Sequence, residues 1–227
     1  MTVADISGWH EDVLGPDFQA CDINLGPDPE GEGDVVATLV RFGDPAASKR
    51  AVLWVHGMTD YFFHEHVARA MDEAGYAFYA LDLRKCGRSC REGQRWHYSG
   101  DFRHYFPELT AALDIITAEH PDVTPIAHST AGMIVPLWAA HLARNDSARH
   151  AKLGGIILNS PWLDMMYPRA AVVLGRPVFF VDDDEPGFGQ RHEDGHARTQ
   201  QHARPTLRHL QPGVQPLCIG KPAVHDG

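Results

Sequence analysis

Ser129 lies in Ala127-His128-Ser129-Thr130-Ala131, between a short β-like run, Val123 to His128, and an Ala- and Leu-rich stretch that reads as a helix to Arg144. A serine at a sharp strand–turn–helix junction has an exposed Oγ and a strained backbone, so its neighbours at −2 and +2 must be small. Glycine is usual at both positions; here both are alanine, with Gly132 one position later. A helix starting at the serine directs backbone N–H groups towards charge developing on a carbonyl oxygen, and the first such donor is Thr130. The pentapeptide alone fits two readings, a nucleophile and a helix N-cap, because serine commonly caps an Ala-rich helix.

Two upstream segments bear on that choice. Val55-His56-Gly57-Met58 closes the apolar run Ala51 to Val55. A His-Gly loop after a buried strand can supply a second oxyanion donor from the next backbone N–H, here Met58. His56 would then orient the loop; otherwise it is a structural histidine at a strand end. Leu81-Asp82-Leu83-Arg84-Lys85-Cys86-Gly87-Arg88-Ser89 is a strand end followed by a basic, Gly-containing turn, or an ordinary polar loop. Tyr61, Phe62 and Phe63 beside the His-Gly loop suit an apolar acyl group and suit core packing equally.

Metal chemistry finds little support. Cys21, Cys86, Cys90 and Cys218 include one C-x3-C pair and no second close pair to complete a zinc site, so they read as reduced thiols. His192-Glu193-Asp194-Gly195-His196 matches H-E-x-x-H, but that pattern works only on a helix, and Gly195 in aperiodic surroundings opposes one. No metal and no other cofactor is expected.

The elements that must position these residues alternate. Phe18 to Leu25, Asp34 to Phe42, Ala51 to Val55, Tyr76 to Leu83, Val123 to His128 and Leu153 to Asn159 read as strands. His64 to Gly75, Phe102 to His120 and Ser129 to Arg144 read as helices, the second with Phe106, Leu109, Ala112, Leu113 and Ile116 on one face. Pro125 weakens its strand and Pro136 is expected to kink its helix. Such alternation means an α/β fold with a mainly parallel central sheet and flanking helices. The formal net charge of −10 opposes non-specific nucleic-acid binding. No apolar run is long enough for a transmembrane segment, and no secretory signal is visible, so the cytoplasm is the default location.

Taken together, these segments resemble the α/β-hydrolase superfamily, specifically its serine aminopeptidase S33-like branch, which holds monoacylglycerol lipase and lysophospholipase relatives. The resembling residues are Val55 to Gly57, Asp82 to Lys85 with Gly87 to Ser89, Ala127 to Gly132, and Leu158-Asn159-Ser160-Pro161-Trp162-Leu163-Asp164, in family order over roughly residues 15–180. The resemblance implies hydrolysis of a carboxylic ester or amide of an apolar acyl group. The substrate would be a small ester or lipid-like molecule. Ser129 would attack, and the Met58 and Thr130 N–H groups would form the oxyanion hole.

The family's acid and histidine follow later strands, and only 98 residues follow Ser129. Asp164 comes one strand too early, and Asp182 to Asp184 follow no clear strand. His225, in Ala223-Val224-His225-Asp226, is the remaining candidate base, near the chain end. Periodicity stops near Phe180, with Val214 to Ile219 the one strand-like run beyond it. The expected organisation is therefore a hydrolase core over residues 1–180 and a partial cap or irregular tail over 181–227, shortened or altered relative to the family and lacking the last strands. Two functional readings stay open: an active serine hydrolase, and a catalytically impaired relative acting as a binding module. Missing edge strands would expose a sheet edge through which copies could associate.

Overall fold

The computed structural model describes residues 6–48 and 50–163. Seven strands form one sheet: β1 (His10–Asp12), β2 (Gly15–Pro27), β3 (Asp34–Phe42), β4 (Ala51–Val55), β5 (Ala77–Asp82), β6 (Val123–His128) and β7 (Ile157–Asn159). Their spatial order is β1-β2-β3-β5-β4-β6-β7. The first three pair antiparallel and join β5 antiparallel; β5, β4, β6 and β7 run parallel. The expected α/β-hydrolase core is therefore present, with its parallel part where the candidate residues lie. The expected strands appear with small shifts at their ends, and β1 is an addition within a polar segment.

The continuous apolar runs are buried on both faces, and their alternation assigns each face to a helix. Leu53, Val55, Tyr79, Leu81 and Ala127 pack with α2 (Phe106–Ile116) and α3 (Ala131–Asn145) through Leu109, Leu113, Val135 and Trp138. Val52, Trp54, Phe78, Ala80 and Ile126 pack on the opposite face with α1 (Glu65–Glu73) through Ala68, Val67 and Met71. A short α4 (Ser147–His150) follows α3. Helices on both faces are the expected cover for parallel strands.

The prolines act locally. α3 continues through Pro136. On the β7 side of β6, a single bridge joins Val123 to Leu153, and regular pairing resumes only at Ile126. The gap coincides with Pro125, which brings no N–H. The helix expected from Phe102 opens as a 3-10 turn, Phe102–Tyr105, before becoming α2.

β4 has β5 on one side and β6 on the other, so the chain reverses its direction of travel across the sheet there. In open α/β sheets the carboxyl ends of the strands at such a reversal splay apart into a crevice. His56, Asp82 and Ser129 stand at or just beyond those three ends. No helix among the described residues is long and apolar enough to cross a membrane.

Candidate active site

Ser129 occupies the turn between β6 and α3 with φ of 53°, in the left-handed region that a residue bearing Cβ adopts only under strain. Both of its backbone polar groups are held. Its N–H donates to the Asn159 carbonyl at 3.1 Å, and its carbonyl accepts from Gly132 at 2.9 Å and Trp162 at 2.9 Å. A helix N-cap has β-region geometry; here α3 begins after Thr130 and no side chain caps it. Ala127 and Ala131 are buried as the expected small neighbours. The tightest fit falls at Gly132, where an added Cβ would lie 2.5 Å from Pro161 Cβ.

The His-Gly loop packs directly on the serine. A Cβ on Gly57 would sit 2.9 Å from Ser129 Cβ and 3.4 Å from its Oγ. His56 is buried. Its Nε2 accepts from the Leu83 N–H at 3.1 Å, which leaves the proton on Nδ1 for donation to the Gly57 carbonyl at 2.7 Å. Both ring nitrogens are thus engaged in fixing the loop. The Met58 and Thr130 residues line one cavity of about 50 Å3, together with His56, Gly57, Leu83 and His97. Among the described residues, neither the Met58 nor the Thr130 backbone N–H has an acceptor. Two such amides facing one small space suit an oxygen acquiring negative charge.

The segment after β5 is no ordinary polar loop. Asp82 accepts from the Phe62 N–H at 2.8 Å through one carboxylate oxygen and from Arg88 through the other. Arg88 also donates to the Phe62 carbonyl at 2.8 Å and grips Asp12 of β1 with Nε at 2.6 Å and Nη2 at 2.8 Å. Both faces of the Phe62 peptide are therefore tied to the β5 turn. Arg84 makes a buried, two-pronged pair with Glu108 of α2. Lys85, with φ of 60°, is fully buried against Asp28 at 2.6 Å, Glu32 at 2.8 Å and Glu30 at 3.1 Å. Burial alone pulls a lysine pKa down, but bonds to these three carboxylates push this one up.

The aromatic residues beside the loop divide. Phe62 is fully buried in the core against Phe18 and Phe78, whereas Phe63 is half exposed and stacks on His64. Cys21, Cys86 and Cys90 are buried thiols with no disulfide. No group of three or more His, Cys, Asp or Glu suited to a metal occurs among the described residues. No described histidine hydrogen-bonds Ser129. His225, Asp164, Asp182 to Asp184, His192 to His196, Cys218 and the expected strand at 214–219 lie outside the described residues, as does the boundary expected at residue 180.

The fold is shared with solved structures of low sequence identity. A thermostable carboxyl esterase from Bacillus coagulans aligns with a TM-score of 0.53 at 20% identity, over 84% of this chain and 60% of its own. Acetyl xylan esterase 1 from a Thermoanaerobacterium species aligns with a TM-score of 0.53 at 15% identity, over 81% and 63%. An epoxide hydrolase from Vigna radiata gives 0.51 at 18%, over 86% and 59%. The chain thus spans about 60% of the length of these neighbours. No curated protein sequence matches it. The sequence model of one family, described as serine aminopeptidase S33, matches residues 46–179, more than half of the chain and all of the parallel strands, and the chain belongs to that family of α/β-hydrolases.

Proposed function

We propose that this chain is a serine hydrolase acting on a carboxylic ester, or an amide, of an apolar acyl group. The observation that carries the reading is the juxtaposition at Ser129: a strained serine at the β6–α3 turn, Gly57 packed against it, and the Met58 and Thr130 amides without acceptors beside it. Ser129 Oγ attacks the carbonyl carbon, and the two N–H groups stabilise the oxyanion. Removing one such donor lowers kcat by about 10²–10³-fold in a serine protease. A base must take the Ser129 proton, because an unassisted serine is a weak nucleophile at neutral pH. His225 is the candidate for that role. The reading extends to a small ester or lipid-like, lysophospholipase-type substrate, a cytoplasmic location, and a core over residues 1–180 with a cap or tail over 181–227.

The test is covalent labelling of the full chain by a fluorophosphonate. Labelling is expected at Ser129 and lost in Ser129→Ala; an unlabelled, folded chain defeats the reading. The second reading, a binding module that keeps the hydrolase core, draws support from β7. Ile157 and Leu158 there are 50% and 41% exposed, unlike the buried β4 and β5, and they offer an edge for association of copies. Steady turnover of simple esters rules that second reading out.

A further inference from the structure

The cavity beside the Met58 and Thr130 amides contains a polar atom that the catalytic reading leaves unused. His97 lies in the loop after β5 with φ of 58°, and its N–H donates to the Lys85 carbonyl at 3.0 Å. Its backbone is therefore held by the residue that three carboxylates clamp. Its Nδ1 lies 3.1 Å from Cys86 Sγ. Its Nε2 is buried and has no hydrogen-bond partner among the described residues. The Cys86 thiol, kept protonated because burial raises its pKa, donates to the Arg84 carbonyl at 3.3 Å. The sulfur lone pairs then receive the Nδ1 proton of His97. Burial holds the ring neutral near pH 7, with a pKa lowered to about 4. Nε2 is thus a bare acceptor on a residue that lines the cavity.

We propose that this cavity is an acyl pocket for a very short acyl group carrying a hydrogen-bond donor, as in a 2-hydroxyacetyl ester, with His97 Nε2 accepting from its hydroxyl. Size sets the first half of the assignment. A cavity of about 150 Å3 holds a benzene ring. At about 50 Å3, this one takes roughly two or three heavy atoms. Leu83, Tyr105 and Ile134 help to wall it, and all three are buried in the main core cluster, so enlargement would disturb core packing. Chemistry sets the second half. A buried acceptor left unsatisfied is destabilising, and a site built to hydrogen-bond a substrate hydroxyl discriminates strongly against the analogue lacking it. His97 is a specificity-determining residue in this scheme and takes no part in proton transfer. The assignment rests on the oxyanion reading of Met58 and Thr130 for its orientation towards the carbonyl, but its test does not depend on Ser129.

Glycolamide serves as the probe, titrated into the full 227-residue chain carrying Ser129→Ala and isotope-labelled histidine. The His97 Nε2 resonance, identified by its absence in His97→Asn, is expected to move. Asparagine is chosen because it tolerates the left-handed backbone. Acetamide is expected to bind at least about tenfold more weakly, and hexanamide to leave the resonance in place. The unsubstituted chain should give the same order, which keeps the result independent of how Ser129→Ala folds. An unmoved Nε2 resonance, or hexanamide binding as well as glycolamide, overturns the pocket. Absent fluorophosphonate labelling with an intact glycolamide shift overturns the nucleophile reading and leaves the pocket standing.

Discussion

The two halves of the sheet bend their chain by different means. In the antiparallel half, the left-handed positions at Gly15, Gly26, Gly31, Gly33 and Gly43 are all glycines. At the carboxyl ends of the parallel strands, side-chain-bearing residues take the same conformation: Thr59 after β4, Lys85 and His97 after β5, Ser129 after β6 and Ser160 after β7, with φ between 48° and 60°. These five are the only such residues other than glycine among the described residues. Glycine adopts that backbone freely, whereas a residue with Cβ does so at about 1–2 kcal/mol. The first half uses turns whose side chains do nothing. The second keeps side chains in strained turns because their chemistry or burial is needed there.

The largest break of that contrast is expected at Lys85. Replacing it with Met removes the cation from among Asp28, Glu30 and Glu32 and leaves carboxylates buried without it. Stability should fall by about 3–5 kcal/mol, read from urea unfolding. A loss under about 1 kcal/mol, typical of an exposed pair, would mean that the cluster is open to water and the contrast is overstated. Next comes Gly57→Ala, whose methyl has no room beside Ser129 Cβ. A displacement of about 1 Å can reduce rate about a hundredfold. Fluorophosphonate labelling of Ser129 should slow to that extent with little change in Tm; unchanged labelling would show the two loops to be independent.

His97 gives a pH-dependent test. Burial, helped by the nearby His56, lowers its pKa from 6.5 to about 4 in the folded chain. The unfolded chain takes up this proton first. Its contribution to stability is therefore full above pH 6.5, declines as pH falls from 6.5 towards about 4, and levels off below. His97→Asn should flatten the urea midpoint across that window. Glu32 acts in a lower one: burial pushes its pKa up, but bonds to Lys85 and Arg95 outweigh this and bring it from 4.5 to about 2. Its contribution is lost as pH falls between those values, so a decline confined below pH 4.5 would refute the role assigned to His97. The smallest effects form a mirrored pair. Ser129→Gly should raise stability by about 1 kcal/mol relative to Ser129→Ala, and Gly26→Ala should lower it by about 1 kcal/mol, since nothing but backbone strain opposes a methyl there. Equal Tm values for the two Ser129 variants would remove strain from the description of the turn.

Much of the frame could be read from the chain. The continuous apolar run Ala51 to Val55 gave β4 with its ends in place, because burial on both faces leaves an unbroken pattern. Ser129 was legible because a strand, small neighbours and a helix surround it within a few residues. The hidden parts depend on distant partners. Arg84, Lys85 and Arg88 look like an exposed basic turn, yet their carboxylates come from α2, from the β2–β3 connection and from β1 and β5. Glu108 belongs to the buried face of α2, where an apolar pattern gives no hint of it. β1 is held by pairing with β2 and by Asp12 meeting Arg88, 76 positions away. His97 carried no motif; its significance arises from a cavity whose walls are far apart in sequence. The alternating acids Asp28, Glu30 and Glu32 were the one local signal of the Lys85 clamp, and they name no partner by themselves.

The grip of Asn159 and Trp162 on the backbone of Ser129 has a consequence for how the molecule is made. Synthesis runs from the N-terminus, so β4, β5, β6 and α3 can assemble while residues 159–162 are still inside the ribosome. Until they emerge, the serine lacks the acceptor for its N–H and one donor to its carbonyl. The nucleophile's geometry is thus a late product of a core that is already built, and a fragment ending before Asn159 would carry Ser129 without the restraint that sets it.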